Sequence, residues 1–271
     1  MLDNKQIFFG IDIGSTATKG ALINNAGEII YTTVEPIGTG TAGSSLVSEK
    51  IKDFAKQHGL NIVQTLATGY GRFTYAEEGS GEQKSEISCH AKGISFLFPN
   101  VRTIIDIGGQ DVKAIRLNDN GRIANFVMND KCAAGTGRFI ETMAKVINVP
   151  LEKFGELSAQ AKTVASISST CTVFAESEVV SKLATGVSMP DLIAGIHASV
   201  AKRVIGLVCR NGIKPDIALS GGVSLNTGII AALEHELKTH LFVSKYSQMA
   251  GAIGAALFAK ELFEKGKGAT L

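Results

Sequence analysis

The apolar positions of IDIGSTATKGALINNAGEII (11–30) fall in short runs separated by glycine and small polar residues, the pattern of strands joined by tight turns. It predicts a strand ending in Asp-Ile-Gly, a tight turn, a second strand, an Asn/Gly hairpin turn and a third strand. The spacing then changes. SSLVSEKIKDFAKQHG (44–59) has apolar residues at 46, 47, 51, 54 and 55 before a glycine stop, which predicts a helix. Residues 61–69 read as a buried strand with a glycine exit. Further on, helical spacing predicts helices at about 136–149, 173–185, 191–211, 224–237 and 250–264, with strands near 163–168 and 216–220.

Set against itself at an offset of 94 residues and without a gap, the opening segment overlies IDIGGQDVKAIRLNDNGRIA (105–124). Eight of the twenty positions are identical: Ile11/Ile105, Asp12/Asp106, Ile13/Ile107, Gly14/Gly108, Lys19/Lys113, Asn24/Asn118, Gly27/Gly121 and Ile29/Ile123. The three-stranded meander is used twice, and its first copy continues as β-β-β-α-β-α. At 271 residues the chain is long enough to divide its core. The expected architecture is α/β, with two duplicated domains facing each other across a cleft and helices outside the sheets. Residues 1–98 form the first expected domain and 99–271 the second, with the C-terminal helix able to return to the first. The cleft is the natural ligand site.

Composition narrows the classes further. With 45% apolar residues, 19% charged residues, 30 glycines and no tryptophan, the chain reads as compact α/β rather than disordered. A formal charge of +2, with lysines scattered among acidic residues, gives no footprint for nucleic acid. The longest apolar run, AGAIGAALFA (250–259), is half the ~20 residues a membrane span needs. MLDNKQIFFGIDIG at the start lacks a basic region, an apolar block and a cleavage site, so a cytoplasmic protein is expected. Cysteines 89, 132, 171 and 209 form no CxxC pair, and no disulfide framework is expected in a reducing compartment.

The two repeated turns carry candidate chemistry. DIGSTATK (12–19) and DIGGQD (106–111) each put a carboxylate at a strand end, then glycine, then small polar residues. Glycine lets backbone N–H groups approach an anion, the hydroxyls of Ser15, Thr16 and Thr18 can donate to phosphate oxygens, and Lys19 adds positive charge. Asp12 and Asp106 can hold a hydrated magnesium ion or orient water, with Gln110 and Asp111 near a terminal phosphate. Asp106 has a structural alternative, since the repeated carboxylate can bond a neighbouring turn, and Lys19 can point to solvent. A third glycine loop, ALSGGVSLN (218–226), follows a short apolar strand; close backbone approach at Gly221 and Gly222 suits adenine or ribose. At these residues the chain resembles the acetate and sugar kinase, heat-shock protein 70 and actin superfamily. That resemblance implies a duplicated ribonuclease H-like fold that binds ATP or ADP. The nucleotide-contacting set expected is Gly14, Ser15, Thr16, Ala17, Thr18, Lys19, Gly108, Gly109, Asp111, Gly135, Gly221, Gly222, Asn226 and Gln248, with Asp12, Asp106 and Gln110 as catalytic residues.

Two thiols have an unusual setting. Cys132 in NDKCAAGTGRF (129–139) and Cys171 in SSTCTVFAESEV (168–179) each follow a polar turn and precede an amphipathic segment. Free N–H groups and the macrodipole near a helix start favour an anionic sulfur. Two thiolates are too few for an iron–sulfur cluster, which normally takes four, but a two-fold dimer supplies the other pair. Two core cysteines are the plainer alternative. These motifs, with IDIGGQDVK, ATGYGR, SCHAKG and AGIHASVAKRV, resemble the activator components of 2-hydroxyacyl-CoA dehydratases, the BadF/BadG/BcrA/BcrD-type ATPases that include subunits of benzoyl-CoA reductases. The similarity runs from about Ile7 to Leu257. It implies a homodimer with one four-iron four-sulfur cluster between subunits, Cys132 and Cys171 as its ligands, ATP and magnesium in each subunit, electrons from ferredoxin or flavodoxin, and a dehydratase or related reductase as acceptor.

Other features receive blander readings. Cys89, Cys209 and His197 are expected in the core, residues 77–86 as a polar surface loop near the opening of the first domain, and the tail after Lys265 as frayed. A small-molecule kinase of the same fold and a nucleotide-dependent binding module remain as alternatives, both of which make the cysteines incidental.

Overall fold

The computed structural model describes residues 5–76, 82–130, 132–168 and 171–268. They divide into two compact units, Met1–Asn100 with Met249–Leu271, and Val101–Gln248. The first contains β1 (Gln6–Ile13), β2 (Thr18–Asn24), β3 (Ile29–Glu35), α1 (Gly43–Gln57), β4 (Asn61–Gly69), α2 (Arg72–Tyr75) and α3 (Glu86–Leu97). The second contains β5 (Thr103–Ile107), β6 (Val112–Leu117), β7 (Ile123–Asn129), α4 (Gly137–Val146), α5 (Phe154–Ser158), α6 (Thr172–Ala184), α7 (Met189–Asn211), β8 (Ile217–Ser220), α8 (Thr227–Leu237) and β9 (Leu241–Phe242). A last helix, α9 (Ala250–Gly268), belongs to the first unit.

The sheets repeat one plan. Their orders are β3-β2-β1-β4 and β7-β6-β5-β8-β9, with a meander antiparallel and a crossover strand parallel beside its first strand. Asp12 lies opposite Lys19 on one side and Thr68 on the other; Asp106 lies opposite Lys113 and Ser220. The first strands are buried almost throughout, which explains apolar runs rather than alternation at 7–13 and 103–107.

Backbone contact through glycine brings α9 to the first unit. A Cβ on Gly10 of β1 would sit 2.0 Å from the Ala252 carbonyl oxygen. One on Gly93 of α3 would sit 2.0 Å from that of Ala250, and one on Gly254 would sit 1.8 Å from that of Cys89. The run AGAIGAALFA is therefore a face that lets α9 lie close against both β1 and α3. It continues to Gly268; residues 269–271 lie outside the described residues.

Several expectations are corrected. Residues 163–168 form no strand: Ala165 N–H donates to the Asp191 carbonyl and its own carbonyl lies on Gly195, so the stretch crosses α7 instead of entering a sheet. Ile167 is buried there, which is why the stretch looks apolar. The helix expected from 224 starts at Thr227, because Gly222–Leu225 form a 3-10 turn first. Within the expected loop 77–86, residues 77–81 lie outside the described residues, but Glu82–Lys84 run along β4, with Ala67 N–H donating to Glu82 and Lys84 N–H to Ala67. That segment covers the edge of the sheet. The short α5 and β9 were not expected. Among the described residues, α7 is long and apolar enough to cross a membrane, with mean hydropathy 1.6, yet 67% of that window is buried in the protein.

Candidate functional site

Each repeated turn sits where a buried first strand ends. In the first, Gly14 N–H donates to the Ala17 carbonyl at 3.1 Å, and a Cβ on Gly14 would lie 3.0 Å from that oxygen. Gly38 packs on the Ser15 carbonyl, and Thr39 N–H donates to Gly14. Ser15 and Thr16 are half-buried at the tip. Thr18 is fully buried, and its hydroxyl donates to the Ile37 carbonyl at 2.8 Å. Its expected donation to phosphate is thereby corrected: the loop's accessible hydroxyls are Ser15 and Thr16. Lys19 turns inward, with Nζ 3.2 Å from Asp12 Oδ2, and is not directed to solvent.

In the second turn, Gly108 N–H donates to the Asp111 carbonyl at 2.9 Å. Lys113, 1% exposed, lies 2.8 Å from Asp111 Oδ2 and 3.3 Å from Asp106 Oδ2. Asp111 is itself buried, so its carboxylate neutralises a buried lysine instead of facing a phosphate. Gln110 is exposed at the tip, and Gly109 is half-buried beside it.

The two repeated aspartates differ in one partner. The Ser220 hydroxyl donates to Asp106 Oδ1 at 2.8 Å, so both oxygens of Asp106 are engaged, by a serine and by Lys113. At the matching register position, Thr68 donates instead to the Lys84 carbonyl at 3.0 Å. Asp12 Oδ1 consequently has no hydrogen-bond partner among the described residues, although the residue is 1% exposed. A buried acceptor left unmade costs ~1–3 kcal/mol, so this oxygen is expected to have a partner in the working protein. A Cβ on Gly69 would lie 2.6 Å from Asp12 Oδ1, and one on Gly251 would lie 2.8 Å from both Asp12 Oδ2 and His90 Nε2. Ligand atoms of Asp12, Glu86 and His90 lie within 4.8 Å of one another. Within SCHAKG it is His90, next to Cys89, that lies beside Asp12; the i,i+4 spacing of Glu86 and His90 was the available signal.

The repeat extends further than its identities. Gly69 and Gly221 both follow the hydroxyl residue, with φ of 84° and 83°, and each packs on the carbonyl after its aspartate. Only glycine fits, since a Cβ would sit 2.5 Å from the Ile13 oxygen or 2.2 Å from the Ile107 oxygen. In the second unit, β5 and β8 are neighbours, so the turn at 108–111 and the glycines 221–222 leave the same end of the sheet. Gln248 reaches Gly222, its Nε2 lying 3.8 Å from the position of a Cβ there. Asn226, expected at the nucleotide, caps α8, with Oδ1 accepting from Gly228 and Ile229 N–H groups. That satisfies two helix-start donors.

The thiols lie on the second unit. Cys171 is the N-cap residue of α6, while Ser169 and Thr170 lie outside the described residues. Cys132 is not at a helix start, which corrects the expectation: the turn Ala133–Gly135 separates it from Thr136, the N-cap of α4. Its sulfur accepts instead from Arg203 Nη2 of α7 at 3.1 Å. Gly135, expected at the nucleotide, has φ 97° and rests on the Arg203 stem. The N–H groups of Gly137 and Arg138 donate to the carbonyls of Gly108 and Gly109, both at 2.9 Å, so α4 is tied to the second turn. Helices α4 and α6 pack on each other, and both cysteines are half-buried and free of disulfides.

The BadF/BadG/BcrA/BcrD ATPase family model matches residues 9–259. The chain belongs to this ATPase family. It is 49% identical over 250 residues to a 2-hydroxyisocaproyl-CoA dehydratase activator of Clostridioides difficile, covering 92% of this chain and 93% of that one. It is 50% identical over 256 residues to an activator of lactoyl-CoA dehydratase of Anaerotignum propionicum, covering 94% and 98%. The solved activator of the 2-hydroxyisocaproyl-CoA dehydratase from Clostridium difficile, with bound ADPNP, superposes with a TM-score of 0.92 at 47% identity over 97% of each chain. The duplicated α/β fold of the actin, heat-shock protein 70 and sugar kinase type holds, and the protein is an ATPase that binds ATP.

Cys89 is buried on α3, and burial pushes its thiol up to about 12. Cys209, expected in the core, is exposed: it lies one position beyond the buried stripe Val204, Leu207 and Val208 of α7. His197 is buried beside Gly228 and Phe154, with Nδ1 3.1 Å from Ser158 Oγ, and burial lowers its pKa from 6.5 to about 4. The unfolded chain takes up this proton near pH 6.5 and the folded protein near 4, so stability present above 6.5 is lost as pH falls through that window. Between pH 7 and pH 5 the loss is about 2 kcal/mol, to be read from urea midpoints. His197→Asn should flatten that part of the slope; an unchanged slope would show that other groups produce it.

Proposed function

We propose that this ATPase activates a 2-hydroxyacyl-CoA dehydratase, or a related acyl-CoA reductase, by ATP-driven transfer of single electrons from ferredoxin or flavodoxin. The reading makes it a cytoplasmic homodimer. The observation that carries it is the pair of half-buried free thiols, each preceding one of two helices that pack together, in a chain half identical to named dehydratase activators. Soft sulfur donors suit iron, and two from each of two subunits make the four that a cluster takes. Beside Cys171, Val173 and Phe174 expose 66% and 67% of their surface, an apolar face suited to a second copy of the chain. Bound there, a four-iron four-sulfur cluster supplies one-electron redox chemistry.

The chain's own residues supply the coupling. Backbone N–H groups of the turns at 14–17 and 108–111, with the Ser15 and Thr16 hydroxyls, suit phosphate, and Gly221, Gly222 and Gln248 suit the nucleoside. Asp12 Oδ1 is the acceptor that a magnesium-bound or attacking water would satisfy, and magnesium favours such sparse carboxylate ligation. Asp106 instead holds Lys113 and Ser220 in place. A shift of the second turn on hydrolysis carries the start of α4 with it, because Gly137 and Arg138 bond that turn. The Cys132 sulfur precedes that helix by one turn of chain, so phosphate state reaches the metal ligand.

Anaerobic purification tests the reading. A brown protein with about four irons per dimer and ATPase activity is expected. A colourless dimer that hydrolyses ATP normally sinks it.

A further inference from the structure

We propose that Arg203 is the positioning residue of Cys132, fixing the direction of its sulfur and raising the reduction potential of the centre it ligates. The inference rests on Cys132 being a cluster ligand. Arg203 Nη2 donates to the Cys132 sulfur at 3.1 Å. The arginine stem is held from above by the turn that follows the cysteine: a Cβ on Gly135 would lie 3.1 Å from Arg203 Cδ and 3.3 Å from Cγ. A side chain at 135 would force the arginine stem to give by a few tenths of an ångström. Thr136 closes the same turn, its N–H and hydroxyl both donating to the Ala133 carbonyl, at 2.9 and 2.7 Å.

The two ends of this contact are anchored differently. Arg203 stands on α7, which is fixed to the sheet where the Asn211 side chain donates to the Ala114 carbonyl of β6 at 3.0 Å. Cys132 stands on the segment that ends at Gly137 and Arg138, bonded to Gly108 and Gly109 of the second turn. A cation on a fixed helix therefore faces a sulfur on a segment tied to a phosphate loop. The guanidinium keeps its charge at any working pH and donates from a planar fork, which a lysine does not reproduce. Hydrogen bonds to ligand sulfur set the potential of iron–sulfur centres, and a nearby positive charge favours the reduced, more negative state.

The test compares Arg203→Gln and Arg203→Lys with the unaltered protein, all purified anaerobically as full-length dimers. Iron is determined chemically, the midpoint potential by redox titration followed by electron paramagnetic resonance, and folding by ADP affinity. Arg203→Gln is expected to lower the equilibrium constant for reduction about tenfold, equivalent to about 59 mV for one electron, with Arg203→Lys between the two. Loss of iron from Arg203→Gln with ADP affinity retained supports the proposal equally, since the sulfur is then no longer held. Iron content and potential unchanged in both variants overturn it. Should Arg203→Gln not fold, Arg203→Lys decides: an unchanged potential overturns the proposal. Absence of iron from the unaltered protein overturns the cluster reading itself, so the two failures are distinguished by the first measurement.

Discussion

Cys132→Ser is expected to yield a dimer that binds ATP as tightly as the unaltered protein but retains no iron above background. A serine hydroxyl is a hard, high-pKa donor that replaces a thiolate poorly, and on the proposed reading a centre shared by two subunits would lose two of its four ligands when both change. Nucleotide binding should survive, because the groups proposed to take phosphate belong to the turns at 14–17 and 108–111 and not to the cysteine segment. Cys209→Ser is the control: the residue is exposed on α7 and should keep full iron. Iron assay with ADP titration reads both. Full iron in Cys132→Ser would remove that residue from the ligand set.

The second large effect separates the repeated aspartates. Asp12→Asn should slow ATP hydrolysis by about a thousandfold, within the range for loss of a group that orients water or assists proton transfer, while ATP affinity changes little. Asp106→Asn should act on stability instead. It leaves Lys113 buried with Asp111 as its remaining carboxylate, so the cost should fall below the about 3–5 kcal/mol of a buried charge left without any partner. Steady-state hydrolysis and urea unfolding of both variants separate the roles. Normal hydrolysis by Asp12→Asn, with its fold intact, would disqualify the unpartnered oxygen as the working one. Normal stability of Asp106→Asn would show that Asp111 alone suffices for Lys113.

The difference between these two residues illustrates what could be read directly. Strand, turn and hairpin leave local signatures, glycine at a tight turn and apolar runs in a buried strand, so the gapless repeat was visible along with both meanders. The thiols and the glycine loops stood out as candidates for the same reason, because such patterns consist of residue type and immediate neighbours. Asp12 and Asp106, however, occupy identical positions in that repeat. Their register neighbours on the crossover strands come 56 and 114 residues later, Thr68 and Ser220, and the Ser220 hydroxyl donates to Asp106 while that of Thr68 turns to the Lys84 carbonyl.

The chain by itself determined that a three-stranded meander occurs twice in an α/β protein, that each copy sets a carboxylate and glycine at its first turn, and that two cysteines precede helices. These follow from hydrophobic period, backbone freedom and local donors, which act over a few residues. Tertiary structure alone decided that α9 returns to the first unit through Gly10, Gly93 and Gly254, that His90 lies beside Asp12, and that Arg203 bonds the Cys132 sulfur. Each is a contact between segments distant in sequence, where fit between backbones or a charged side chain depends on packing that no local pattern encodes.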